Sequence, residues 1–306
     1  MMRVTNKSVN ESVIMRLNSI SSDLFRANEV ISSGKKINRL SDDPVGLVSV
    51  LNLRASLANL DQLERNLAAG RSWLEAGESA LSQVESILSA TKALCVQMAS
   101  GNVGPFQRSN ATAVVEGYLQ QILALANTRV GGRYIFGGTK TDMAPFDLHE
   151  GAEVVYQGNE NPFSIKIGRN MDLAVGRNGK QVFGDGDFDW SDPDAGHDNV
   201  FKTLIDLKAH LSGNDTESVR ETLSRLDDHL HQIRSVISDT GAKTLRLDAK
   251  ERIIDDLKLG YTERMSRIED CDIAEAVMSL KSKELAYQAT LASSSRVMQL
   301  SLVNFI

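Results

Sequence analysis

The chain has 306 residues, 42% of them hydrophobic and 24% charged, with a formal net charge of −6. The acidic balance excludes a general nucleic-acid binder, which needs a basic face to neutralise phosphates; two cysteines exclude a disulfide scaffold and a four-thiolate zinc site; no run of about 18 apolar residues is present to cross a membrane as a helix. Aromatic residues are scarce, 16 in all, and nine of them fall between Tyr134 and Phe201. The two ends therefore draw their apolar content from Leu, Ile, Val and Ala, a composition that suits long helices.

Met1 to Asn10 is too polar for the apolar core of a cleavable signal peptide, so the expectation is a cytosolic protein or one exported without such a peptide. Val13, Leu17, Ile20, Leu24, Ala27 and Ile31 then alternate spacings of four and three. That heptad seam predicts a helix with one apolar stripe. Ser32-Ser33-Gly34 ends it, Gly being favoured just past a helix terminus. A connector follows, Lys35 to Leu40, and Ser41-Asp42-Asp43-Pro44 restarts a helix, with Asp43 as cap and Pro44 in the first turn.

The strongest pattern comes next. Leu53, Leu60, Leu67, Leu74, Leu81, Leu88 and Cys95 recur every seven residues, and a second row runs Leu63, Gly70, Gly77, Val84, Thr91, Met98. A helix over about 45–100 would be roughly 80 Å long, too long for a compact domain. Gly70 and Gly77 are expected to let a neighbouring helix approach closely. Gly101 to Pro105 breaks this helix, and Ala111, Val115, Tyr118, Ile122 and Leu125 mark another reaching about Arg129.

Between Gly131 and Val200 lie twelve of the 22 glycines and three of the five prolines. Val154–Tyr156, Phe163–Ile167 and Leu173–Val175 are strand candidates there, in what reads as a small, mostly β insertion. Helical period returns with Leu204, Leu207 and Leu211, then with a long series from Val219 to Ile268. The tail carries a second stripe: Ile273, Val277, Leu280, Tyr287, Leu291, Met298, Leu302 and Phe305. The expected fold is mainly α, an elongated antiparallel helical bundle or coiled coil with terminal amphipathic helices and a small mostly-β insertion domain. Its segments are 1–40, an N-terminal assembly helix and connector; 41–130 and 201–270, the helical body; 131–200, the insertion; and 271–306, the C-terminal assembly helix.

Candidate chemistry is sparse. Asp185, Asp187, Asp189 and Asp192 imitate the start of a calcium loop, but Trp190 stands where the loop needs Gly and Gly196 where it needs Glu, so a solvated acidic loop is the expectation. His229 and His231 point to different faces of one helix and cannot share a metal. His149 and His197 fall in loop sequence. Cys95 lies on the leucine row and reads as a buried small apolar residue, with Cys271 similar. No catalytic, cofactor-binding or metal-ligating set is expected, and the chain does not read as an enzyme. The functional residues are the two terminal stripes, Val13, Leu17, Ile20, Leu24 and Ile31 with Ile273, Val277, Leu280, Tyr287, Leu291, Met298, Leu302 and Phe305, as an assembly interface. An isolated helix pair buries too little to stand alone, and packing between subunits completes it.

Ile31 to Gly46, reading ISSGKKINRLSDDPVG, resembles the N-terminal signature of bacterial flagellins and their junction homologues. Glu269-Asp270-Cys271-Asp272-Ile273-Ala274, Leu285–Ala289 and Ser301–Ile306 are similar to the matching C-terminal region. Tyr134-Ile135-Phe136-Gly137-Gly138-Thr139-Lys140-Thr141 and Val155-Tyr156-Gln157-Gly158-Asn159, with the Asn-Phe-Ile ending, resemble the junction members rather than the flagellins. The resemblance implies a structural protein of the extracellular flagellum, exported through its type III channel, with the termini forming an inner helical tube. It implies as partners further copies of the chain, the first hook-associated protein, flagellin and a cytosolic export chaperone; the charge and the lack of a long apolar run already argue for no nucleic acid and no membrane insertion. Flagellin itself and an intracellular coiled-coil signalling module are the competing readings.

Overall fold

The structure, a computed structural model, describes residues 6–149, 153–184 and 198–303. In chain order the described residues form α1 (Asn6–Ser33), α2 (Pro44–Met98), α3 (Pro105–Ala126), β1 (Arg129–Val130), β2 (Arg133–Tyr134), β3 (Phe146–His149), β4 (Glu153–Tyr156), β5 (Ser164–Gly168), β6 (Met171–Ala174), α4 (Gly179–Phe183), α5 (Val200–Ser212), α6 (Thr216–Glu269) and α7 (Ile273–Val303). The fold is mainly helical with a small β insertion, as the periodicity predicts. Two compact units divide it, one of residues 1–60 with 255–306 and one of residues 61–254, and α2 and α6 each supply residues to both.

The helix limits follow from local chemistry. Gly34 adopts φ +71° and its N–H donates to Val30 O at 2.9 Å, closing α1 in the left-handed conformation that glycine adopts without penalty. The Asp43 carboxylate accepts from the Val45 and Gly46 amides at 3.1 and 2.9 Å, capping α2 at the place its sequence predicts. At the other end of α2, the buried Arg108 of α3 donates from Nε to Met98 O at 2.9 Å and from a terminal nitrogen to Ser100 O at 3.0 Å. Met98 is the last residue of α2 and Ser100 O, just past it, also accepts from Val103 N at 3.2 Å, so Arg108 caps the end of the helix and the turn that follows. Its other terminal nitrogen reaches Asn214 Oδ1 at 2.6 Å, in the turn between α5 and α6.

In the 61–254 unit the leucine row is core: Leu67, Leu74, Leu81, Leu88 and Cys95 are all buried, as are Val84, Thr91 and Met98 of the second row. The α6 helix runs antiparallel to α2. Arg71 pairs with Asp248 and Glu251, Glu85 with Arg234, and Lys92 with Asp227, so the partner's number falls as that on α2 rises. α3 packs on α5 in the same sense, Glu116 pairing with Lys208.

The glycines of α2 have a different use from the one expected. A Cβ at Gly70 would collide with Ile165 Cδ1 of β5, and the nearest atom to a Cβ at Gly77 is Ile135 Cδ1 at 4.0 Å. Between them Trp73 stacks on Phe163 with ring centroids 5.0 Å apart. Gly70, Trp73 and Gly77 share one helix face, and that face seats the β insertion rather than a neighbouring helix.

The insertion consists of three antiparallel strand pairs, β1–β2, β3–β4 and β5–β6. The strands expected at 154–156, 163–167 and 173–175 correspond to β4, β5 and β6 within a residue or two. β1, β2, β3 and α4 have no counterpart among the expected elements. Helix α3 stops at Ala126, short of the expected Arg129, because the Asn127 side chain turns away to bond the backbone of Phe146, donating to O at 2.8 Å and accepting from N at 3.1 Å. Beneath the strands, Phe136, Phe146, Phe183 and Phe201 form one cluster with ring centroids 5.2 to 5.6 Å apart.

The two insertion motifs meet each other. Gly138 has φ +67°, and a Cβ there would collide with Asn159 Oδ1 and O. The Asn159 side chain accepts from Thr139 N at 2.8 Å and donates to Thr139 Oγ1 at 2.5 Å. The Tyr156 hydroxyl lies 3.0 Å from Phe136 O and 3.1 Å from Asn159 O, and accepts from Gly179 N at 3.1 Å. Tyr134–Thr141 and Val155–Asn159 are thus two halves of one interlocked turn.

Candidate functional site

The terminal stripes belong to the unit of residues 1–60 and 255–306. α1 and α7 pack side by side and antiparallel, with Val13, Arg16 and Ile20 facing Ala289, Thr290 and Ser294 across a groove. Along α1 the seam residues Val13, Leu17, Ile20, Leu24 and Ile31 are half-buried and Ala27 is buried; along α7 Leu280 and Tyr287 are half-buried. Ile273, Val277 and Leu291 are exposed. Met298 and Leu302 lie on α7, and Phe305 is outside the described residues. The two helices therefore pair, α1 through its seam and α7 through a face that, of the expected stripe from Ile273 to Leu291, takes in only Leu280 and Tyr287.

More apolar surface lies beside the seam than the stripe residues account for. Ile14, Met15, Phe25, Met278 and Leu285 all face solvent, with Phe25 65% and Leu285 66% exposed. A stripe drawn from one residue every three or four omits them, although Ile14, Phe25 and Met278 directly follow stripe residues. The start of α2 repeats the feature: Val45, Val48 and Leu51 are exposed, as is Leu40 in the connector.

Where α1 meets α2 and α6 meets α7, the two connectors clasp each other. Lys36 N donates to Glu269 O at 2.8 Å and Cys271 N to Gly34 O at 3.0 Å, two rungs of an antiparallel ladder. The Glu269 side chain is only 6% exposed and pairs with Lys35 at 2.7 Å and with Arg54 of α2. Lys36 Nζ adds a bond to Arg267 O at 2.9 Å. Burial alone would raise the Glu269 pKa, but the hydrogen bonds from Lys35 and Arg54 outweigh it and hold the carboxyl below its ordinary value. The signature segments Ile31–Gly46 and Glu269–Ala274 owe part of their sequence to this clasp.

The residues considered for chemistry take other roles. His229 is buried, its Nε2 2.8 Å from Thr203 Oγ1 and 3.4 Å from Asp198, while His231 is exposed. Asp198 also takes a two-pronged pair from Arg225, at 2.6 Å on each oxygen. Burial opposes ionisation of Asp198, and the bonds from Arg225 and His229 overcome it, so its pKa falls well below the usual range. This network ties the start of α5 to α6. Cys95 is buried and its thiol pushed up to about 12, the behaviour of a core residue rather than a nucleophile. Cys271 is half-buried in the clasp, with Sγ 3.8 Å from Val30 O. Asp185–Asp192 and His197 lie outside the described residues. Among the described residues no group of three or more His, Cys, Asp or Glu is placed to hold a metal, and no helix is long and apolar enough to cross a membrane.

Comparison with known proteins gives this arrangement its context. Residues 5–141 match the family model of the bacterial flagellin N-terminal helical region. The chain is 27% identical to flagellar hook-associated protein 3 of Salmonella typhimurium, over 94% of this chain and 95% of that one. Its fold matches a putative flagellar hook-associated protein from Vibrio parahaemolyticus, with a TM-score of 0.67 at 22% identity, covering 75% of this chain and all of the other. It likewise matches the flagellar junction protein FlgL from Legionella pneumophila, with a TM-score of 0.59 at 18% identity over 74% of this chain and all of that one. The chain resembles flagellar hook-associated protein 3, and its relatives are structural components of the flagellum.

Proposed function

We propose that this chain, which carries the flagellin N-terminal helical region, is a structural adaptor at the hook–filament junction of a bacterial flagellum. It joins the first hook-associated protein to flagellin and associates with further copies of itself through α1 and α7. Residues 1–40 and 271–306 are the assembly arms, 41–130 and 201–270 the helical body, and 131–200 the surface insertion.

One observation carries the self-association. Among the described residues, 42 hydrophobics are buried, and only Ala27, Ile37, Val50 and Leu60 of them belong to the unit of residues 1–60 and 255–306. Of 22 exposed large hydrophobics, fourteen belong to that same, smaller unit. A monomer gains nothing by holding so much apolar surface in water, whereas a subunit of an assembly buries it against neighbours. Partner identity rests on the near full-length similarity to a hook-associated protein. Before export, the exposed Val277, Met278 and Leu285 of α7 would be shielded by a cytosolic chaperone offering a groove to an amphipathic helix. The protein then leaves by the flagellar type III route and resides outside the cell.

Electron microscopy of a strain lacking this gene tests the reading. Hooks without filaments, with flagellin released to the medium, are the expected result. Filaments of normal length would contradict a junction role. Loss of flagellin from both cells and medium would point instead to this chain being the filament protein.

A further inference from the structure

We propose that a single buried water pins the β insertion to the helical body, accepting hydrogen bonds from Trp73 Nε1–H on α2 and from Arg177 Nε–H just past β6. These two side-chain nitrogens are buried and have no partner among the described residues. Both residues line one narrow hollow, together with Gly77, Ile135 and Thr240.

Neither donor can turn to a partner elsewhere. Trp73 is 7% exposed and its ring is fixed by stacking on Phe163. The terminal nitrogens of Arg177 are already engaged, one with Asp239 at 2.6 Å and the other with Thr240 Oγ1 at 2.9 Å. A buried N–H left bare loses its hydration without compensation, so two such donors on residues lining one hollow call for an acceptor. The hollow offers about 10 Å³, the space of one water. Water has two lone pairs for the two donors. The Thr240 hydroxyl donates to Val236 O at 2.8 Å and accepts from Arg177, and its remaining lone pair can take a proton from the water. Three polar partners are the usual complement of a buried water. The Arg177 charge is answered by Asp239, so the site has no call for an anion.

The same account explains Gly77. A glycine inside a helix weakens it, and here a Cβ would meet nothing closer than Ile135 Cδ1 at 4.0 Å, so steric exclusion does not require it. The absent methyl leaves the hollow open.

A crystal structure of the full chain at a resolution that reveals ordered water, together with thermal melts of two variants, tests the proposal. A density peak within about 3.5 Å of both nitrogens is expected. Gly77→Ala should remove the peak and melt about 3 °C or more below Gly241→Ala, a control at a helical glycine with nothing within 4 Å. A hollow empty of density with both nitrogens bare overturns the proposal. So does a peak with the anomalous signal of chloride, and so does Gly77→Ala melting as high as Gly241→Ala, because filling a dry hollow would only stabilise.

Discussion

The Glu269 carboxylate lies 2.7 Å from the Lys35 ammonium, so the last residue of α6 closes onto the connector that follows α1. Arg54 shares the same carboxylate, and two backbone rungs flank it. This ties the end of α6 to the segment between α1 and α2. Replacing Glu269 by Gln removes the charge and leaves the shape, so Lys35 and Arg54 lose their common partner. Hydrogen exchange at the Lys36 and Cys271 amides should accelerate at least about tenfold, a loss of about 1.4 kcal/mol in local opening free energy. Unchanged exchange would mean that the backbone rungs hold without the carboxylate.

The clasp also has a pH dependence of known sign. The folded Glu269 pKa lies below its ordinary 4.5, so its stabilisation is complete above that value and is lost as pH falls through the lowered folded one. Amide exchange at Cys271, corrected for intrinsic rates, should be flat from pH 7 to about 5 and rise only at more acid pH. A rise beginning near neutrality would assign control to another group.

Leu74 and Leu81 are almost fully buried on the α2 row. Leu74→Asp or Leu81→Asp removes packing and buries an unpaired carboxylate, at a cost of about 4 kcal/mol or more. Circular dichroism should show a clearly lower melting temperature. A melt like that of the parent would mean the row is not a seam.

Arg108 joins the end of α2 to the turn before α6 through three hydrogen bonds. Arg108→Ala should lower stability by about 2–3 kcal/mol, since it removes a buried charged donor from Met98 O, Ser100 O and Asn214 Oδ1 at once. Urea denaturation would measure it, with a shift under about 0.5 kcal/mol counting against the capping role.

Gly138 combines a left-handed φ with the touching Asn159 backbone. Gly138→Ala should therefore destabilise by about 2 kcal/mol or more, although Gly→Ala often stabilises elsewhere. A neutral melt would show that the interlocked turn can yield.

The long elements were legible because period survives over many turns. The row from Leu53 to Cys95, the Asp43 cap and the Gly34 stop each carry local chemistry that acts wherever the chain goes. The clasp was not legible, because Lys35, Arg54 and Glu269 are ordinary charged residues until the fold brings them together. The same holds for Gly70, whose spacing from Gly77 is equally that of a helix contact and of a seat for a hairpin; Ile165, far along the chain, decides it. Of the two terminal stripes the sequence shows only the period. Their heptad members were visible, but Phe25 and Leu285 emerged only when the α1–α7 pairing showed which faces remain uncovered.

The central claim is that the apolar surface on α1 and α7 exists for assembly, and Phe25 tests it most directly because it is exposed in the subunit. A strain carrying Phe25→Asp in place of the native chain should export the protein to the medium, and the purified variant should melt within about 1 °C of the parent, since little packing is lost at a residue 65% exposed. If position 25 packs against a neighbour as proposed, the same carboxylate would meet apolar surface there, which is costly. Counting filaments by electron microscopy should therefore show bare hooks. Normal filaments on cells exporting the Phe25→Asp protein would contradict the account.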